Sequence, residues 1–277
     1  MKLLCPVRGR EIVISAEAYR RNWTKVNSEM TQILLAVAGS LSGAISELAA
    51  RVTARTGQEI TLRHGPAGKL AELIFSGFPA EVYVSASATG PVQLYEAGLF
   101  SLPRVIAGNR LVVIARPGLL DTGRADAGQA ALDLLARPDL RIGMSTPGAD
   151  PSGDYTLAFL NRLAGTDPAR WQDLPARAHS LYGGDLLRTE DFGRSPALEA
   201  LRAGKADLLI GYGTSAQRII ADLPGAQSLP LPLSLAPPTE ACASFRIGAS
   251  GAAQAFCNEL SGAEAAEIFA RFGFSVV

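Results

Sequence analysis

The sequence predicts an α/β protein of two lobes, each a mostly parallel sheet flanked by helices. Three observations predict it. Short apolar strands alternate with amphipathic helices from Ile33 onward, the pattern of parallel strands joined by helical crossovers and covered on both faces. The 277 residues are nearly twice the ~150 of one domain. Apolar residues make up 48% and charged residues 19%, which supplies a sizeable core and argues against disorder.

ILLAVA (33–38) is too brief for a helix and stops at Gly39-Ser40, so it reads as a strand. LSGAISELAARVTARTG follows as a helix, with Leu41, Ile45, Leu48, Ala49 and Val52 on one face and Gly57 closing it. EITLRH (59–64) is a strand, GPAG (65–68) a turn and KLAELIFSG a helix, and EVYVSAS (81–87) and RLVVIARPG (110–118) add two strands. The second half repeats the order. RIGMST (141–146) is a strand, PGADPSG a loop and DYTLAFLNRLAG a helix. SPALEALRAG (195–204) is a helix stopped by Gly204, ahead of the strand ADLLIGYG (206–213) and the helix SAQRIIADL. The prolines of LPLPLSLAPP (229–238) would remove ladder donors, so that segment reads as a connection between lobes rather than a central strand. GAEAAEIFARFG is the final helix.

Charge excludes some partners. Basic and acidic residues balance at 26 each, without the basic excess of a nucleic-acid binder or a polybasic membrane patch. The cysteines Cys5, Cys242 and Cys257 show no metal-ligand spacing, which disfavours a zinc site or a disulfide framework and leaves a single Cys242–Cys257 bridge open. No apolar run approaches the ~18 residues of a membrane-spanning helix. Arg8, Arg10, Glu11, Glu17, Arg20, Arg21, Lys25 and Glu29 break up any secretory leader. Residues 1–30 are therefore expected to be an extension ahead of the first strand of the repeat, with Met30 a second possible start.

Three strand-to-helix loops are rich in Gly, Ser and Pro: 39–42, 65–68 and 147–153. Loops of this kind present backbone N–H groups at helix N-termini, where open α/β sheets bind ligands. GPAGKL (65–70) fails as a P-loop, since Arg63 stands at the required Gly and Leu70 at the required Ser or Thr. GYGTSA (211–216) matches a degenerate dinucleotide turn, but no acidic strand end follows about 20 residues later. His64 and His179 have no catalytic or metal-binding neighbours, and no serine sits in a G-x-S-x-G elbow. Glu190-Asp191 and Asp150/Asp154 could pair as carboxylates, but Asp154 fits better as a first-turn acid favouring a helix dipole. The sequence carries little sign of catalysis.

AGSLSGAISELAARVTARTG, EITLRHGPAGKLAELI and GFPAEVYVSAS together resemble the start of the molybdate-binding proteins of bacterial ABC importers. NRLVVIARPG resembles that family's first lobe crossing, and PGADPSGDY its P-x-G-x-Y loop through Pro151, Gly153 and Tyr155. GKADLLIGYGTSA and LSGAEAAEIFARFGF match its two late signatures. The resemblance covers roughly residues 31–277 in the family's order.

It implies a two-lobed type II periplasmic-binding-protein fold, with lobe 1 formed by residues 31–109 and 239–277 and lobe 2 by 110–238. It implies a non-enzymatic monomer that holds molybdate or tungstate, needs no cofactor, and meets an ABC-transporter membrane permease but no nucleic acid. Family position by family position, the oxyanion donors fall on Ser40, Ala67, Ser152, Arg194 and Tyr212. Two of these depart from the family: Ala67 lacks a hydroxyl, and Arg194 stands where the best-known members carry an apolar residue. The family is periplasmic, whereas a start as written, or at Met30, implies the cytoplasm. An intracellular oxyanion sensor is accordingly the first alternative, and a dinucleotide-dependent enzyme using GYGTSA the second.

Overall fold

The computed structural model describes residues 2–7, 10–15, 32–120, 127–184 and 195–276, the first two segments by backbone alone. The chain divides into unit 1, Met1–Gly108 with Glu240–Val277, and unit 2, Asn109–Thr239.

Unit 1 begins with a separate antiparallel pair, β1 (Lys2–Val7) and β2 (Arg10–Ser15), within the expected N-terminal extension. Three parallel strands follow: β3 (Gln32–Ala38), β4 (Glu59–Gly65) and β5 (Val82–Ser85). β5 is buried throughout and β3 nearly so, as strands covered on both faces must be. A short 3-10 turn, Gly39–Leu41, leads from β3 into α1 (Ser42–Thr56). That helix buries Ala44, Ile45, Leu48, Ala49 and Val52 and ends at Gly57, whose φ of 72° needs no Cβ. α2 (Ala67–Phe75) follows β4, α3 (Thr89–Glu96) follows β5, and β6 (Arg104–Asn109) completes this first passage.

Unit 2 runs through β7 (Leu111–Ala115), α4 (Ala127–Ala136), β8 (Ile142–Ser145) and α5 (Pro151–Thr166). The short helices α6 (Pro168–Trp171) and α7 (Leu174–Arg177) precede β9 (Ala178–Tyr182). α8 (Pro196–Arg202), β10 (Leu208–Tyr212), α9 (Gly213–Asp222) and β11 (Gln227–Pro230) complete it. Its sheet order is β11-β7-β10-β8-β9. β8 runs parallel to β9 and β10, and β7 antiparallel to β10 and β11. Val112, Ile114, Leu198, Leu201, Leu209 and Ile219 pack on one another in its core. Asp207, almost fully buried, is held by Arg116 Nε at 2.7 Å and Arg141 Nε at 2.8 Å. The Arg141 hydrogen bond, with that of Arg116, keeps its carboxyl well below the usual carboxylate range.

The chain returns to unit 1 with β12 (Thr239–Phe245), α10 (Gly251–Glu259) and α11 (Ala263–Arg271). β12 inserts antiparallel beside β5, giving the order β4-β3-β5-β12-β6. Arg246, just past β12, is fully buried over the Phe100 ring and donates to the carbonyls of Phe78 and Ala80.

The two-lobed α/β class stands, with a refinement. Both sheets are mixed, because β12 in unit 1 and β7 in unit 2 each run against a parallel trio. The segment 229–238 is no central strand, yet Leu229 and Pro230 end the edge strand β11, where a proline costs no ladder bond. Cys242 and Cys257 are both free and buried, so the bridge left open by the sequence is not formed. Burial pushes each thiol up to about 11. Among the described residues, no helix is long and apolar enough to cross a membrane.

Candidate functional site

In unit 1, β3, β4 and β5 run in one direction, so their C-terminal ends lie at one end of the sheet. Ala38 pairs opposite Gly65, and the turn bearing Ser40 and the start of α2 at Ala67 therefore leave neighbouring strands side by side. The residues heading α1, α2 and α3 are Leu41, Pro66 and Ala88, none with a side-chain oxygen to cap the first amides. In α2 the first bond back to the cap is Leu70 N–H to the Pro66 carbonyl, 3.0 Å. The amides of Ala67, Gly68 and Lys69 precede it and face the strand ends with the positive end of the helix dipole. Tyr83 fixes this turn by donating its hydroxyl to the Ala67 carbonyl at 2.6 Å. Complete burial pushes that phenol far above its usual range, so it stays a donor.

Unit 2 builds a similar row from β8, β9 and β10. Ser145 closes β8 opposite Tyr182 of β9, and Tyr212 closes β10 and heads α9. The loop after β8 enters α5 through Asp150 and Pro151, an N-cap and first-position pair. Gly153 is required in that first turn. A Cβ there would stand 2.5 Å from the Ser145 carbonyl oxygen and 2.7 Å from the Pro147 nitrogen. Its absence lets the helix start press onto the strand end. Ser152 is buried, and its Oγ and the Tyr182 hydroxyl both approach Gly211 (3.7 and 3.6 Å from where a Cβ would stand). The Tyr212 ring meets Tyr155 edge-on at 6.5 Å. Burial, with Asp150, Tyr155 and Asp154 nearby, pushes the Tyr212 phenol well above its usual value. Arg110, just ahead of antiparallel β7, accepts the Gly213 amide on its carbonyl at 2.8 Å and lays its side chain against Gly213.

Of the residues singled out in sequence, Ser40 and Ala67 thus share one row of strand ends, and Ser152 and Tyr212 share another. Arg194 lies outside the described residues, as do Glu190 and Asp191. The Ser152 amide is not open to a ligand, since it donates to Asp150 Oδ1 at 3.1 Å. Asp154 takes the Gly148 amide at 2.7 Å from the first turn of α5, in addition to the dipole role expected of it. Sequence reasoning missed Tyr182 and Arg110, because long-range strand register brings both in. It also missed the Asp150 cap, for which Asp-Pro ahead of a helix was a usable signal. His64 is buried, its imidazole pushed down by burial and by Arg63, and His179 is exposed. No group of three His, Cys, Asp or Glu among the described residues could hold a metal ion.

Residues 33–275 match the family model described as bacterial extracellular solute-binding protein. The chain belongs to this family. An uncharacterized protein of Pasteurella multocida is 31% identical over 161 residues, 58% of this chain and 65% of its own length. The molybdate-binding protein ModA of Rhodobacter capsulatus is 28% identical over 136 residues, 48% of this chain and 50% of its own. The match thus spans between half and two thirds of these two relatives. Among solved structures, the periplasmic molybdate-binding protein of Azotobacter vinelandii superposes with a TM-score of 0.69 at 22% identity, covering 89% of this chain and 100% of that one. The sulfate-binding protein SubI of Mycobacterium tuberculosis gives 0.71 at 18% identity, covering 90% and 88%. These likenesses establish the two-lobed type II fold for this solute-binding protein. In such a protein, strand ends crowned by helix N-termini are where a ligand's charge would be met.

Proposed function

We propose that this solute-binding protein captures a dehydrated tetrahedral oxyanion, molybdate or tungstate, in the periplasm and delivers it to the membrane permease of an ABC importer. The observation that carries the reading is the row of uncapped helix starts in unit 1, where Ala38 and Pro66 leave the first amides of the Gly39–Leu41 turn and of α2 unclaimed by any cap side chain. Such amides hold a dianion without a counter-charge. Ser40 adds a hydroxyl beside them, and Ser152 and Tyr212 are the corresponding contributors in unit 2. The relatives named for molybdate support the choice of anion, and cavity size would separate it from the smaller sulfate. Arg194 is proposed to supply charge-assisted hydrogen bonds in place of the hydroxyl that Ala67 lacks.

Thermal denaturation with molybdate, tungstate or sulfate tests the reading. At 100 times its dissociation constant, molybdate or tungstate should add about 2.7 kcal/mol of stability, and sulfate little. Equal shifts from all three anions would remove the selectivity, and no shift from any would remove the function. Arg194→Ala should weaken molybdate binding about 10- to 150-fold. An unchanged dissociation constant would take Arg194 out of the site.

A further inference from the structure

In unit 2 the helix start that would receive an anion already holds a carboxylate. Asp150 Oδ1 accepts the Ser152 amide at 3.1 Å, and its Oδ2 lies 2.9 Å from where a Cβ on Gly183 would stand. Asp154 accepts the Gly148 amide in the same loop. The donors of the 147–153 loop are therefore engaged internally, unlike those at the start of α2.

Asp150 is closely surrounded. Ser145 and Tyr182 reach it from β8 and β9, Tyr212 faces it from β10, and Asp154 faces it from its own helix. Tyr155 packs on Tyr212. A cation at this end of the sheet, Arg110 just ahead of β7, packs on Gly213 at the start of α9. Among the described residues, the groups that act on the Asp150 carboxyl are thus phenols, hydroxyls, an amide and a second carboxyl. Two negative charges brought together in such surroundings are strongly unfavourable unless one is neutralised.

Resting on the oxyanion reading above, we propose that Asp150 makes anion binding proton-linked: its carboxylate competes with the ligand for the α5 amides, and it takes up one proton from solvent as the ligand binds. Once protonated, the same carboxyl turns from acceptor to donor and can offer its O–H to an oxyanion oxygen. Burial already favours the neutral form, pushing the carboxyl up to about 6 against the lowering by the Ser152 amide. A bound anion pushes in the same direction. The sign follows. Below this range Asp150 is neutral in the free protein and affinity is independent of pH. Above it, each ligand must bring a proton in, so affinity falls as pH rises, approaching about tenfold per unit.

Isothermal titration tests this with molybdate and with sulfate, neither of which changes charge between about pH 6 and 8. Titrations in buffers of different ionisation heat count the protons taken up. The wild-type protein should take up close to one proton at the upper end, and its affinity should fall at least tenfold across the range. Asp150→Asn keeps a strong N-cap, so the helix start survives while the titrating group is lost. That variant should bind with no proton uptake, at a pH-independent affinity above the wild type's at the upper end. Binding by the wild type without proton uptake, or uptake unchanged in Asp150→Asn, would overturn the role of Asp150 while leaving the oxyanion reading intact. No binding of either anion by either protein at any pH would overturn both.

Discussion

The two units solve one geometric problem in opposite ways. Each sends parallel strands into helices at one end of a sheet, so each collects helix N-termini there. In unit 1 those helices are headed by Leu41, Pro66 and Ala88, and nothing on the cap residue competes for the first amides. In unit 2, α5 is headed by Asp150 and α8 by Ser195, each placing its own oxygen on an amide of the following turn, whereas α9, headed by Tyr212, is left uncapped as in unit 1. The architecture alone therefore does not make an anion site. One residue per helix, the N-cap, decides whether the dipole is left for a ligand or used up by the chain. Unit 1 is built as a set of fixed neutral donors, and the α5 start of unit 2 as one whose donors depend on a proton.

The comparison is sharpest at its two glycines. Gly153→Ala places a methyl 2.5 Å from a backbone carbonyl oxygen and 2.7 Å from a backbone nitrogen, neither of which can rotate away. The start of α5 must shift, at a cost of about 3 kcal/mol. Gly39→Ala has its nearest atom, the Gly65 carbonyl oxygen, at 4.0 Å and no left-handed φ to satisfy, so its effect should stay within about 0.5 kcal/mol. Urea unfolding midpoints of the two variants measure this directly. Equal losses would show that the two helix starts are not packed differently.

A second effect, of about 3 kcal/mol, separates the units by pH in the absence of any ligand. Asp150 has its folded value raised to about 6, above the ordinary carboxylate value of 3.8. Its contribution is therefore fully present below the ordinary value and is lost as pH rises through about 6. Stability should fall over that window in the wild type and stay level in Asp150→Asn. Asp207 works in the opposite sense. Its folded value is lowered, so its contribution is present above the ordinary carboxylate value and is lost only in stronger acid. Denaturation midpoints collected from mild acid to neutrality distinguish the two, and an unchanged slope in Asp150→Asn would remove the pH contrast.

Much of this was legible in the sequence because strand ends and helix starts are local features. The apolar runs ending at Ala38, His64 and Thr146, each followed by Gly or Pro, located the candidate donor loops from short-range pattern alone. What was hidden depends on pairing. TEACASF carries no strong strand signature, and β12 is a strand because β5 offers it an edge in the middle of a sheet. Tyr182 meets Gly211 only through the β8–β9 register, whose irregularity at Met144/Ser145 no local pattern announces. Arg110 reaches Gly213 because β7 runs against β10, when alternating strands and helices had suggested a mostly parallel sheet. The state of the Ser152 amide is a different case. Asp150-Pro151 is a local signal, but reading the loop as a supply of donors overlooked the acceptor at its own end.

The smallest effect expected tests whether the start of α2 is held independently of pH. Tyr83 holds the start of α2 through one bond, from its hydroxyl to the Ala67 carbonyl at 2.6 Å. Tyr83→Phe removes that bond from a fully buried position with almost no change of shape, and should cost about 1 kcal/mol. Helix α2 then loses a positional restraint on the amides of Ala67 and Gly68, so molybdate affinity should fall by about threefold, or ~0.7 kcal/mol. Because burial holds the phenol far above its usual range, it stays protonated in mild acid and at neutrality alike. Both losses should therefore be equal at about pH 5 and 8, unlike anything that touches Asp150. Titration calorimetry and unfolding at the two pH values give the four numbers required. A Tyr83→Phe penalty that changed with pH would mean that a titrating group also controls the start of α2, and the contrast between the two units would fail.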